Sequence, residues 1–283
     1  STIEHPAVME ACRFMEGHGF SVSYIPVDEV GMIDPSDVEG ALQPDTVMIS
    51  IMHANNEVGT IQPIAEIARV AFDNGIPLHT DAAQSVGKIP TRVDEMGVAL
   101  LSLAGHKLYA PKGVGALYIR SGLQADRLFH GAGQERGIRA GTENVLEIVG
   151  LGKACEIAQR DLDHNQAHMR EMRDRLEKGI EIGIPDIRFN GHRSSRLPNT
   201  SSVSFLGIEA NRLLEEIGLD VAASAGAACH SDRVEISHVL QAMGISREWA
   251  VGTIRFSVGR MTTTREIDRA VDVVASAVKK LRG

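Results

Sequence analysis

The stretch SLAGHKLYAPKG, residues 102–113, sets His106 and Lys107 straight after an apolar, strand-like run and then breaks it with Gly and Pro. A lysine so placed is either a solvated strand end or a buried amine with a chemical task, and sequence position alone leaves both open. A second stretch, HTDAAQSVG over 79–87, ends another extended apolar run at Asp81, with Gln84 three residues on as a turn or helix begins. Asp is also a favoured N-cap, so by itself it closes a strand-helix junction as readily as it does chemistry. The two stretches together say more. An amine near a carboxylate on neighbouring strand ends is what a pyridoxal phosphate (PLP) site needs. The amine forms a Schiff base with the aldehyde, and the carboxylate keeps the pyridine nitrogen protonated so that the ring can accept electrons.

The elements that must position these ends follow from the hydrophobic pattern. From Ser1 to about Arg120 helical and short apolar segments alternate: HPAVMEACRFMEG, DPSDVEGAL and PIAEIARVAFDNG read as helices, and SVSYIPV, TVMISIMHA, IPLHTDAA, ALLSLAG and VGALYIR as extended. Near-continuous apolar strands separated by helices predict an α/β fold with a mainly parallel sheet covered on both faces. Ligands of such sheets gather beyond the carboxyl ends of the strands. The polar residues there are His53, Asn55 and Asn56, then Asp81 and Gln84, then His106 and Lys107. After RAGTEN (139–144) a long helical pattern runs to about Ile180. Beyond it SSVSFLG and TIRFSVG read as extended, EANRLLEEIG, ISHVLQAMG and a last segment from about Thr264 as helical. The expected division is a large domain over 1–160 and a smaller α+β domain over 161–283, and there is no internal repeat.

Composition narrows the function classes. With 283 residues, 43% of them apolar, the chain can bury a sizeable core. A net charge of −8 without a Lys/Arg block argues against nucleic acid, since neutralising phosphates needs a positive field. No apolar run approaches the roughly 20 residues of a membrane span, and STIEHPAVME is not a targeting segment. Three cysteines without CxxC or CxxH spacing suggest neither a disulfide framework nor a metal site, and fit a reducing, cytoplasmic setting. Cys12 and Cys155 lie in helix-like apolar patterns, where free cysteine acts as a small hydrophobe. Cys229, in SAGAACHSD, has different company: Ser224, Ala225, Gly226, Ala227 and Ala228 suit a tightly turned or mobile segment.

Four separated motifs, HTDAAQSVGK, SLAGHKLYAPKG, GAGQERGIRAGTEN and SAGAACHSD, together resemble the class V aminotransferase family, and within it the cysteine desulfurases and their relative selenocysteine lyase. The resemblance runs the length of the chain in the family's order. It implies the fold type I architecture of PLP-dependent transferases, with Lys107 as the Schiff-base lysine buried against the cofactor. It implies Asp81 for the pyridine nitrogen, Gln84 for the phenolic oxygen, and His106 for the phosphate. His5, in IEHPAV, is expected to stack on the ring and shuttle protons, and Asn56, in HANNEVG, to contact the ring oxygen and substrate. Thr142, in RAGTEN, is expected to reach the phosphate of a second subunit, which makes a homodimer part of the expectation. Arg255, in TIRFSVGR, holds the position of the arginine that grips the substrate carboxylate, with Arg260 its nearest competitor. Cys229 becomes the nucleophile that takes sulfur from L-cysteine as a persulfide, releasing alanine and passing sulfur to a carrier or an iron-sulfur scaffold protein. A thiol mostly protonated at neutral pH needs a nearby base or cation, and His230 is adjacent.

The chain departs from the family pattern in three places. It starts in the middle of the family's large domain, so the loop that normally holds the PLP phosphate is expected to be missing. Ala104 stands where many desulfurases have a phosphate-binding serine, a loss of one hydrogen bond worth about 1 kcal/mol. GAACHSD leans toward the selenocysteine lyases. Two alternatives to cysteine desulfurase are therefore carried: selenocysteine lyase acting on L-selenocysteine, and a truncated, non-catalytic homologue serving as a dimerisation or binding module.

Overall fold

The computed structural model describes residues 1–230 and 233–283, with the backbone alone at 227–230, 233 and 234. In chain order the elements are α1 (Pro6–Glu16), α2 (Pro35–Gly40), β1 (Ile49–Ser50), α3 (Ile64–Asp73), β2 (Leu78–Asp81), α4 (Val93–Met96), β3 (Leu100–Ala104), β4 (Gly115–Ile119) and α5 (Val145–Arg160). There follow α6 (Leu162–Gly183), β5 (Ile187–Asn190), β6 (Thr200–Phe205), α7 (Ala210–Ile217), β7 (Ser224–Ala225), β8 (Ala227–His230), β9 (Arg233–Ile236), α8 (His238–Ala242), α9 (Arg247–Ala250), β10 (Thr253–Ser257) and α10 (Thr264–Arg282). These fall into two compact units, one of Asp45–Ile51 and Ile64–Leu162, the other of Ser1–Pro44, Met52–Pro63 and Asp163–Gly283.

The first unit is built on a four-stranded sheet in the order β1-β2-β3-β4. β1, β2 and β3 are parallel, and β4 returns antiparallel to β3. Helix α3 buries Ile64, Ile67, Ala68 and Ala71, the i, i+3, i+4, i+7 stripe of an amphipathic helix. Helix α5 packs Leu151, Ala154 and Ala158 with Leu108 and Ala110, and Cys155 lies partly buried in the same cluster. Burial pushes the Cys155 thiol up, as it does that of Cys12, so both rest as protonated thiols. Parallel pairing sets Asp81 opposite Ser102, which brings the carboxyl ends of β2 and β3 side by side. A 3₁₀ turn, Gly105–Leu108, then follows β3 directly. A Cβ at Gly105 would lie 2.8 Å from the Val114 carbonyl oxygen, so only glycine lets the chain turn there.

The second unit carries an antiparallel sheet in the order β5-β6-β10-β7 and the separate hairpin β8-β9. Strand β6 is buried along its whole length. Val203 and Phe205 of β6, with Ile254 and Phe256 of β10, meet Met172, Leu176 and Ile180 of α6, Leu213 and Ile217 of α7, and Val274 and Val278 of α10. Among the hydroxyls that TSSVSF also buries, that of Ser204 is paired twice: Asn190 Nδ2 donates to Ser204 Oγ at 2.8 Å, and Ser204 Oγ meets Thr253 Oγ1 at 2.7 Å, while Ser201 Oγ is buried without a partner among the described residues. Helix α10 begins on a reciprocal capping box between Thr263 and Glu266. No described helix is long and apolar enough to cross a membrane.

Three segments differ from the sequence pattern. SVSYIPV forms no strand, because no described segment pairs with it as a ladder. TVMISIMHA contributes only Ile49 and Ser50 to the sheet. The long helical pattern after Asn144 is two helices, broken at Asp161, whose backbone leaves the helical region at φ −106, ψ 13.

Candidate active site

In the first unit the site residues stand where β2 and β3 end. Asp81 Oδ1 accepts from the Ala83 backbone N–H at 2.9 Å, the turn-closing role open to any Asp at such a junction, and Oδ2 has no partner among the described residues. His79 holds the strand ends in register, its two ring nitrogens reaching Ser50 Oγ at 2.8 Å and Ser102 Oγ at 2.9 Å. Beyond Asp81, Lys88 Nζ donates to the Gln84 carbonyl at 2.8 Å and lies 3.4 Å from Gln84 Oε1. With Oε1 turned to an ammonium, the amide N–H₂ of Gln84 is left to donate elsewhere. Burial, with the Lys107 ammonium adding to it, brings the Lys88 amine down to about 8.

The turn after β3 buries Gly105 and Leu108 and turns His106 and Lys107 outward. Lys107, expected to be buried, is exposed, because in this turn the inward positions belong to its two apolar neighbours. Its amine makes no hydrogen bond among the described residues. Thr142 is likewise exposed, in a loop tied together by the Arg139–Glu135 ion pair at 2.8 Å and by Gly141 N–H donating to Gln134 Oε1 at 3.1 Å.

This donor set suits PLP. It offers an unbonded amine for an aldehyde, a carboxylate oxygen without a partner for a protonated ring nitrogen, and an amide N–H₂ for a ring oxygen.

In the second unit His5 caps α1, its Nδ1 accepting from Ala7 N–H at 3.2 Å. A bare Nδ1 puts the proton of the neutral ring on Nε2. Fully buried Asn55 fixes the next turn: its Oδ1 accepts from Glu57 N–H at 2.8 Å and Val58 N–H at 3.0 Å, and its Nδ2 donates to the Ile3 carbonyl. That turn aims the Asn56 carbonyl at Arg255, whose Nη1 donates to it at 2.9 Å, while Nη2 donates to Ser224 Oγ at 2.9 Å. Arg255 Nε is buried without a partner. A buried guanidinium N–H with no acceptor is costly to leave so. Cys229 lies in β8 opposite Val234 of β9, and its side chain lies outside the described residues, as does that of His230.

Sequence reasoning passed over two residues. Glu57 directly follows Asn56, and burial pushes its carboxyl up against the opposing pull of Ser237, His238, Arg255 and His5. Lys88 closes the motif that contains Asp81 and Gln84. Both were legible only by position, as charged residues adjoining motifs that already carried candidate site residues.

His53 carries a consequence for pH. Burial lowers its imidazole from 6.5 to about 4. Between those values the unfolded chain binds more protons than the folded one, so stability is full above about 6.5 and falls as pH drops toward 4. The span is worth about 3 kcal/mol. Replacing His53 by Asn should flatten melting temperature against pH over that window, and an unchanged slope would exclude His53 as its source.

A mainly parallel sheet with cofactor-type residues at its strand ends, joined in one chain to an antiparallel α+β part, defines the fold type I architecture of PLP-dependent transferases. The chain belongs to the class-V aminotransferase family, whose model matches residues 1–270. It is 48% identical to the cysteine desulfurase IscS of Dictyoglomus turgidum over 283 residues, all of this chain and 72% of that protein. It is also 48% identical to the cysteine desulfurase IscS of Methanosarcina thermophila, again over all of this chain and 70% of the relative. Among solved structures, a NifS-like protein superposes with a TM-score of 0.92 at 37% identity, covering 99% of this chain and 74% of that one.

Proposed function

We infer that this chain is a PLP-dependent cysteine desulfurase that converts L-cysteine to L-alanine and passes the sulfur through Cys229. The observation that carries the reading is 48% identity across every residue of the chain to relatives bearing that name. The strand-end chemistry of Asp81, Gln84 and Lys107 supports it. When bound, PLP supplies an aldehyde for the substrate amine and a ring that accepts the electrons of the broken Cα–H bond.

Around it each residue has a task. Asp81 keeps the ring nitrogen protonated, Gln84 donates to the ring oxygen, and His106 contacts the phosphate. Lys107 provides the attaching amine and then takes the α-proton. His5 would stack on the ring and relay protons through Nε2, and Asn56 would contact ring oxygen and substrate. Arg255 grips the substrate carboxylate. The Cys229 thiolate attacks the substrate sulfur; as the C–S bond breaks, its electron pair returns to the substrate carbon, which takes a proton to become alanine, and Cys229 keeps the sulfur as a persulfide. In this reading 1–160 binds the cofactor and 161–283 completes the substrate site, in a cytoplasmic homodimer that hands sulfur to an acceptor or scaffold protein. Thr142 reaches the partner's phosphate. Leu128, Phe129, Val145, Leu146 and Val149, all large, apolar and exposed around that loop and the start of α5, support a covered face there.

The test is alanine production by PLP-loaded protein from L-cysteine and, separately, from L-selenocysteine. Alanine from cysteine supports the desulfurase. Alanine from selenocysteine alone transfers the reading to selenocysteine lyase, and none from either overturns both. Arg255→Ala should raise KM for cysteine about 10- to 100-fold, the worth of a charge-assisted bidentate contact, with PLP content unchanged. Arg255→Lys should recover only part, since an ammonium lacks the planar fork. An unchanged KM would reassign the carboxylate grip to Arg260.

A further inference from the structure

The hairpin β8-β9, which carries Cys229, is held at its two roots by different means. At the N-terminal root Gly226 N–H donates to the Thr253 carbonyl at 2.8 Å, so that end rests on β10 through the backbone. Next to it Ser224 and Ala225 pair with Arg255 and Ile254 of the same strand. The C-terminal root is Ser237. Its N–H donates to the Gly226 carbonyl at 3.0 Å, closing the hairpin, and its Oγ accepts from Val239 N–H at 3.1 Å as the cap of α8. The one proton that Ser237 Oγ can donate goes to Glu57 Oε2, at 2.5 Å.

Glu57 is separated from Ser237 by 180 residues and comes from the turn that Asn55 fixes. The neighbouring peptide carbonyl in that turn, that of Asn56, receives Arg255. One rigid turn therefore sets both the substrate arginine and the end of the hairpin. A short carboxylate–hydroxyl bond of this kind is stronger than a neutral one and is strongly directional. Burial pushes the Glu57 carboxyl up, and the residues facing it, Ser237, His238, Arg255 and His5, oppose that rise.

We propose that Glu57 is a positioning residue: through Ser237 it anchors the C-terminal root of the hairpin and so fixes where Cys229 meets the substrate sulfur. The proposal rests on the desulfurase reading for its effect on turnover, but not for the anchor itself. A residue that places a nucleophile acts on kcat, because displacements of about 1 Å are costly to a reacting geometry while leaving substrate binding intact.

The experiment uses the PLP-loaded protein and the variants Glu57→Ala, Ser237→Ala, the double variant and Glu57→Gln. In each alanine variant kcat for alanine from cysteine should fall about tenfold, with KM within about threefold of the parent. The double variant should be no slower than either single one, since both remove the same contact. Glu57→Gln, which keeps an acceptor for Ser237, should recover most of the loss. Amide hydrogen exchange should quicken at least about fivefold in the peptides that carry Gly226 and Ser237, with β6 and α10 unchanged.

Additive losses, a change confined to KM, or unaltered exchange at Gly226 and Ser237 would each overturn the proposal. So would faster exchange spread evenly through β6 and α10, which marks a general loss of stability. If the parent protein makes no alanine, the desulfurase reading fails, and the exchange of the two root peptides alone decides the anchor.

Discussion

Replacing Lys107 by alanine is expected to cut alanine formation by about 10⁴-fold or more and to remove the visible absorbance of the PLP-loaded protein. In the proposed mechanism two tasks vanish with one amine. The covalent hold on the cofactor is lost, and so is the base for the α-proton, and general-base catalysis alone is worth about 10² to 10⁴. The structure offers this amine without competition: it makes no hydrogen bond among the described residues and stands on a turn that glycine at 105 makes possible. The lysine nearest in role is Lys88, whose amine burial brings down to about 8. Lys88 is engaged with Gln84, however, at both the carbonyl and Oε1. A Lys107→Ala protein that keeps its colour and activity would move the attachment to Lys88.

Replacing Cys229 by alanine is expected to lower alanine formation from cysteine by more than about 10³-fold while leaving PLP content and visible absorbance intact, as removal of a nucleophile does. The contrast with Lys107 is the point of the pair. In the proposed mechanism Lys107 acts on the cofactor, so its loss should show in the spectrum, whereas Cys229 acts on the substrate sulfur, so its loss should show in turnover alone. Mass spectrometry after one turnover should find one added sulfur on Cys229 in the parent and none in the variant. Selenocysteine serves as the internal control. Its selenium leaves more readily, so the variant should retain alanine formation from selenocysteine to a much greater degree. Equal loss with both substrates would mean that Cys229 serves the chemistry before sulfur transfer, and full retention with cysteine would remove it from the mechanism.

How much of this was legible beforehand depends on the range of the interaction. Local pattern was sufficient for α1, α3, α7, β6, β10 and the capped start of α10, because each rests on periodicity, capping or a continuous apolar run within about 20 residues. It was also sufficient to place Asp81, His106 and Lys107 at strand ends, since Asp, Gly and Pro punctuate apolar runs in any fold of this kind. Local pattern failed where a ladder partner decides. SVSYIPV has the alternation of a strand and forms none, because β structure exists only between segments.

The sequence by itself determined the chemistry on offer: a lysine and a carboxylate at neighbouring strand ends, an arginine in the strand before the last helix, and a cysteine among small residues. Tertiary structure decided how these groups are held. It turned Lys107 outward by giving the inward positions of its turn to Gly105 and Leu108. It occupied two nitrogens of Arg255 and left the third buried without a partner. It joined Glu57 to Ser237 across 180 residues, a contact for which no local pattern exists. The physical reason is common to all three. Residue type and spacing set what a side chain can donate, accept or attack, but its burial and its partners are properties of the segments that pack against it, and those are brought together only by the fold.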